Sequence, residues 1–263
     1  MYLKIRYLSP RLLVAALVAA ALAFASVGAS AQSAQAPVLI GHWRFDTAAK
    51  DAFPDRTGMN PAARYVTATK PAKLPVFAPA PLEDVTQAVV LAGSTDQWIR
   101  APFSSLNKLS AFTIELWINW EGDTAVDPEI KQQLLIGNIG GVIFSIKRGG
   151  LVSAMLAGRT DGKVSWVYAE APERIAAGEW NHLLLRYVDG AIQIGFEGRG
   201  WNTGKVLASP LKKIPGTSKY NWSETVLGLN PAAGRSSPFK GQIAAVKLHD
   251  GVLDDAAFLA SRP

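Results

Sequence analysis

Apolar residues recur at every second position over much of this chain, and the clearest case lies near its middle. In residues 181–188, Leu183, Leu185 and Tyr187 alternate with polar or smaller neighbours, the period of a β-strand with one face buried. Asp189-Gly190 then supplies two residues that tolerate the positive φ of a tight hairpin turn. Ile192, Ile194 and Phe196 resume the alternation on the return. Residues 112–120 form the cleanest strand: Phe112, Ile114, Leu116, Ile118 and Trp120 on one side, Thr113, Glu115, Trp117 and Asn119 on the other. The same rhythm predicts strands at 38–45, at 85–101 as a pair around 93–96, and at 133–138, 142–147, 151–157, 163–169, 225–230 and 239–249, with Gly149-Gly150 and Asp161-Gly162 as hairpin turns. Helical periodicity is confined to the C-terminus, where Asp254 is placed to cap a short helix running through Leu259. Pro71, Pro75, Pro79 and Pro81 make residues 70–81 an extended surface segment and exclude a central strand. The pattern predicts an all-β fold of two packed antiparallel sheets.

The first 31 residues stand outside this pattern. Lys4, Arg6 and Arg11 precede an unbroken apolar run at 12–25, and Ala29-Ser30-Ala31 offers the small residues of a cleavage site, so residues 1–31 read as an export signal. The run is shorter than the roughly 20 residues of a membrane span, so no span is expected once the signal is removed. Residues 32–37 form a disordered leader, and 38–263 a single domain. The signal removes three basic and no acidic residues, lowering the net charge from +6 to +3. No dense run of Lys or Arg remains, which argues against nucleic acid as a partner. With no cysteine, an exported domain of this length must be held by its core. A periplasmic or extracellular location is the expectation.

Several short motifs, in order, resemble one family. They are Trp43-Arg44-Phe45-Asp46, the loop Asp55-Arg56-Thr57-Gly58-Met59-Asn60, Gly93-Ser94-Thr95-Asp96, the strand Phe112-Thr113-Ile114-Glu115, and Gly178-Glu179-Trp180-Asn181-His182 before the central hairpin. Together they are similar to the laminin G-like domains of the concanavalin A-like lectin/glucanase superfamily. The resemblance implies a jelly-roll sandwich and runs across roughly 38–259. Residues 199–224 depart from it as a long Trp-, Lys- and Gly-bearing excursion.

Candidate chemistry follows from both readings. Glycoside hydrolysis needs two carboxylates about 5–10 Å apart. The Glu121-Gly122-Asp123 string lacks the second glutamate, since Val126 and Asp127 stand there. An enzyme built on this chain would have to assemble acids from separate strands, such as Glu115 and Glu170. His182 is expected to pack, and His42 with His249 lacks a third zinc ligand. The resemblance implies Ca²⁺ as the cation a member can hold, here through Asp46, Asp55 and Asn60. The same residues also serve as turn formers, and the family's acidic pair near the last strand is replaced by Ala244-Ala245. In the excursion, Trp201, Asn202, Tyr220 and Trp222 offer flat rings and an amide to a sugar, in loops where binding residues concentrate. The remaining tryptophans are assigned to the sandwich. The preferred expectation is a non-catalytic module for a polysaccharide, glycoconjugate or cell-surface protein. The alternatives are a diverged polysaccharide-active enzyme and a structural envelope protein.

Overall fold

In the computed structural model, the described residues are 36–46, 51–71, 73–123, 131–138, 141–160, 163–188, 191–197, 207–208, 212–213, 222–229 and 237–261. They form two sheets. The first has the order β14 (Leu207–Ala208), β13 (Ala191–Glu197), β12 (Trp180–Val188), β7 (Ala111–Trp120), β17 (Lys240–Asp250), β5 (Gln87–Ala92) and β4 (Val76–Pro79). Onto it, β1 (Val38–Arg44) pairs with β17 and β15 (Lys212–Lys213) with β13. The second has the order β11 (Lys163–Arg174), β10 (Leu151–Thr160), β9 (Val142–Lys147), β8 (Gln132–Gly137), β16 (Val226–Leu227), β6 (Gln97–Arg100), β3 (Ala63–Thr67) and β2 (Ala52–Phe53). Neighbouring strands run antiparallel, as in β7 against β12 and β10 against β11.

The alternation read from the sequence sets the register. Phe112, Ile114, Leu116, Ile118 and Trp120 of β7 face the interior, with Leu183, Leu185 and Tyr187 of β12 and Ile192, Ile194 and Phe196 of β13. Phe144 and Ile146 of β9, Val152, Ala154 and Leu156 of β10, and Val167, Ala169 and Ala171 of β11 meet them from the second sheet. A one-residue slip in any of these strands would turn its whole apolar set outward, which fixes the pairing. The Gly149-Gly150 turn joins β9 to β10 as its sequence requires. Gly150 has φ +83°, and a Cβ there would lie 2.2 Å from the Ile175 carbonyl oxygen, so only glycine fits.

The proline-bearing segment behaves in two ways. Val76–Pro79 is the edge strand β4, where the missing N–H of a proline leaves no ladder bond unmade. Beyond it the chain folds inward instead of staying at the surface. Ala80, Leu82 and Val85 join Ala88, Trp117, Ala244 and Ala245 in a second, smaller apolar cluster on the outer side of the first sheet. Ala244 and Ala245 are fully buried there.

The C-terminal helix α1 (Asp255–Ala260) begins as its sequence predicts, with Asp254 accepting a hydrogen bond from the Ala257 N–H at 2.7 Å. It lies on the same outer side, so α1 and the segment after β4 together cover the outer face of the first sheet. No helix among the described residues is long and apolar enough to cross a membrane.

Candidate functional site

Of the four residues singled out in the excursion, Trp201, Asn202 and Tyr220 lie outside the described residues, as does the side chain of Trp222, whose backbone opens a short turn (Trp222–Glu224). The excursion is anchored at β14 and β15, which pair with β13 and pack beside β11.

Asp55 and Asn60 are brought together. The Asp55 carboxylate accepts five hydrogen bonds, from the backbone N–H groups of His42, Thr57 and Asn60 and from the side chains of Thr57 and Asn60. The Thr57 N–H bond closes the Asx-turn expected of an Asp in this loop. These donors hold the carboxyl below its ordinary value although burial pushes it upward. Asn60 donates to the Ile40 carbonyl at 2.9 Å and accepts from the Ser105 N–H at 3.0 Å. Asp46 pairs with Arg44 at 2.5 Å. The residues present do not fit a calcium site, because a hard cation needs oxygen lone pairs and those of Asp55 are already spent on donors. Among the described residues no three His, Cys, Asp or Glu side chains form a metal-holding group.

The outer side of the first sheet carries a buried polar cluster that strand alternation alone does not reveal. Glu115 is fully buried and pairs in register with Leu184 of β12 and Lys247 of β17. His182 and His249 therefore sit on its two diagonals, the positions that long side chains reach across a sheet. Their Nε2 atoms meet Glu115 Oε2 at 2.8 Å and Oε1 at 2.6 Å. Ser261 donates to Oε1 at 3.1 Å, and Lys247 donates to Ser261 at 3.2 Å. His182 stacks on Trp117 at 4.1 Å between ring centroids and meets Phe258 of α1 at 3.9 Å. Arg186 of β12, also buried, binds Asp255 of α1 at 2.7 Å. This face holds the terminal helix down and leaves no room for a substrate at Glu115.

Burial would raise the Glu115 carboxyl, but hydrogen bonds from His182 and His249 outweigh it and hold the group at about 2, against an ordinary 4.5. Its contribution to stability is thus complete above pH 4.5 and is lost as pH falls toward 2. His42 is also lowered, for a different reason. Burial first, then Lys247, Arg56 and Arg44, push it down from 6.5 to about 4, so it resists a proton that the unfolded chain accepts. That contribution is lost as pH falls from 6.5 to 4. Urea denaturation at successive pH values is expected to show stability declining from about pH 6.5 downward, with a further loss below 4.5. A profile flat between pH 7 and 3 would contradict these assignments.

The outer face of the second sheet is different in kind. Trp166, Tyr168 and Glu170 project from it at alternate positions of β11, since Val167, Ala169 and Ala171 take the inward ones. Trp166 is 46% exposed, against the assignment of the strand tryptophans to the sandwich; Trp43, Trp117 and Trp120 are buried as expected, and Trp98 and Trp180 are half-buried. Across β10, Lys147 of β9 reaches Glu170, Nζ to Oε1 3.1 Å, and both bond the Tyr168 hydroxyl. The ammonium also sits 4.5 Å from the Tyr168 ring centroid. Ser153, which faces Glu170 on β10, is small enough for the two long side chains to pass over it. It is buried and shares a hydrogen bond with Ser145 at 3.0 Å. The result is an open face with a flat ring beside a paired cation and anion. Strand alternation in 163–169 gave the geometry of this face, and a tryptophan there preceding Tyr168 and Glu170 by two and four positions was the signal available for it.

The acids of the enzymatic alternative do not meet. Glu115 lies on the outer side of one sheet and Glu170 on the outer side of the other, so both sheets, which pack about 10 Å apart, stand between them. Glycosidase carboxylates face each other across a single bond at about 5–10 Å.

The sequence profile of the concanavalin A-like lectin/glucanases superfamily matches residues 93–257. No curated protein matches the chain. Among solved structures, domain 4 of AbnA, an extracellular arabinanase from Geobacillus stearothermophilus determined with arabinotriose, superposes with a TM-score of 0.59 at 20% identity, over 85% of this chain and 98% of that one. The receptor binding domain of botulinum neurotoxin mosaic serotype C/D gives 0.55 at 12% identity, over 85% of this chain and 50% of that one. Trypanosoma rangeli sialidase gives 0.55 at 13%, over 84% of this chain and 32% of that one. At such identities the likeness is one of fold. A profile match over more than half of the sequence, borne by a two-sheet sandwich of the same architecture, makes this chain a member of the concanavalin A-like lectin/glucanases superfamily.

Proposed function

We propose that the chain is an exported, non-catalytic module that binds carbohydrate, on a polysaccharide or a cell-surface glycoconjugate, through the outer face of β8–β11. The observation that carries the reading is Trp166, a large ring held 46% exposed on a regular strand with Tyr168, Lys147 and Glu170 beside it. An exposed indole presents a flat apolar surface to the C–H groups of a sugar, and the flanking polar groups fix its orientation. Trp201, Asn202, Tyr220 and Trp222 are proposed as further contacts, because the excursion that carries them is anchored on strands packed beside β11. Export rests on residues 1–31. The AbnA domain was solved with arabinotriose, which supports the ligand class without assigning a sugar.

The reading is tested by glycan-array binding of the full chain together with a polysaccharide hydrolysis screen. Binding without product release is expected. Product release that disappears in Glu115→Gln would replace the module with an enzyme, and silence in both assays would favour a structural role.

A further inference from the structure

Resting on the reading of this face as a carbohydrate surface, we infer that its ligand is a neutral oligosaccharide, recognised through vicinal hydroxyls by the Lys147–Glu170 pair. Both internal bonds to Glu170 fall on Oε1, and Oε2 takes none among the described residues. The Lys147 ammonium has three donors, of which two are directed to Tyr168 and Glu170. A charged acceptor and a charged donor therefore stand side by side, with Nζ and Oε1 3.1 Å apart. Adjacent hydroxyls on a sugar ring match that arrangement: one donates to the carboxylate while its neighbour accepts from the ammonium. Both bonds are charge-assisted, the stronger class. The two side chains are about one-third exposed, 36% and 37%, so they are reachable while partly shielded from water.

The same pair discriminates against acidic sugars. A uronate carboxylate placed here would meet Glu170, and Lys147, the cation bonded to it, is already neutralised by it, a repulsive element of the kind that sets specificity. Arg148 follows Lys147 directly, and Lys147 and Arg174 stand on either side of Leu151 of β10, but Arg174 Nη1 is turned back onto the Arg148 and Gly149 carbonyls at 2.9 and 3.2 Å. The site also has length. Trp166 and Glu170 are four residues apart on one strand, about 13 Å, which is more than one sugar ring. A ring stacked on Trp166 and a diol at Glu170 belong to different units of one chain.

Electrophoresis of the full chain through gels containing arabinan or xylan, against polygalacturonate, tests this. Retardation by a neutral polysaccharide is expected, with none by its periodate-cleaved and reduced form, which has lost its vicinal diols. Glu170→Gln is expected to weaken binding about tenfold, the difference between a charged and a neutral acceptor, with an unchanged melting temperature. Stronger retardation by polygalacturonate that tightens further in Glu170→Gln would overturn the neutral class and leave carbohydrate binding standing. Neutral binding indifferent to Glu170→Gln, or to periodate, would overturn the assignment to this pair. No retardation by any polysaccharide would overturn the carbohydrate reading itself.

Discussion

Glu115→Ala is expected to destabilise the protein by about 3–5 kcal/mol, the cost of removing one partner from a buried charge cluster. The carboxylate is fully buried and takes hydrogen bonds from His182, His249 and Ser261. Without it, two imidazoles and the partly buried Lys247 lose the anion they surround. A domain's whole stability is only about 5–15 kcal/mol, so the variant would be near its unfolding threshold. Glu115→Gln keeps an acceptor for one imidazole and should lose less than the alanine variant. Because Ser261 and Phe258 dock onto the same cluster, the terminal helix is expected to loosen first, seen as faster amide exchange at 255–260. Urea denaturation measures the effect, and a loss below about 1 kcal/mol would show that the cluster is dispensable.

Most of the sandwich was legible because strand period and turn chemistry agree along the chain. Residues 112–120 were read correctly on their inward side, and Asp254 as a helix cap needed only local sequence. Their outward side was not legible, for a definite reason. Period-2 alternation separates two faces but does not say whether the polar one meets water. Here α1 and the segment after β4 cover it, and both arrive from positions distant in sequence. Glu115 and His182 were accordingly read apart, as a candidate acid and a packed ring, whereas the β7–β12 register places them within hydrogen-bond distance. Trp166 was missed by the converse error. Burial is the usual fate of tryptophan in a strand; alternation puts Trp166 on the outer face of the edge strand β11, but does not say that this face is left open. Lys147 and Glu170 lie 23 residues apart in sequence and meet only once β9, β10 and β11 are in register.

Trp166→Ala is the second large effect expected, and it falls on binding. Central aromatic anchors typically contribute about 2 kcal/mol or more to an interface, about thirty-fold in affinity. The ring is nearly half exposed and stands outside the apolar core, so stability should change by no more than about 0.5 kcal/mol. That separation of binding from folding distinguishes a contact residue from a packing one. Titration calorimetry of the full chain and of Trp166→Ala with a neutral arabino- or xylo-oligosaccharide therefore addresses the outer face of β8–β11 most directly. Saturable binding by the wild-type chain, weakened about thirty-fold in the variant at an unchanged melting temperature, is the predicted result. Equal affinity in the two proteins, or a ligand held only through residues of the opposite sheet, would contradict it.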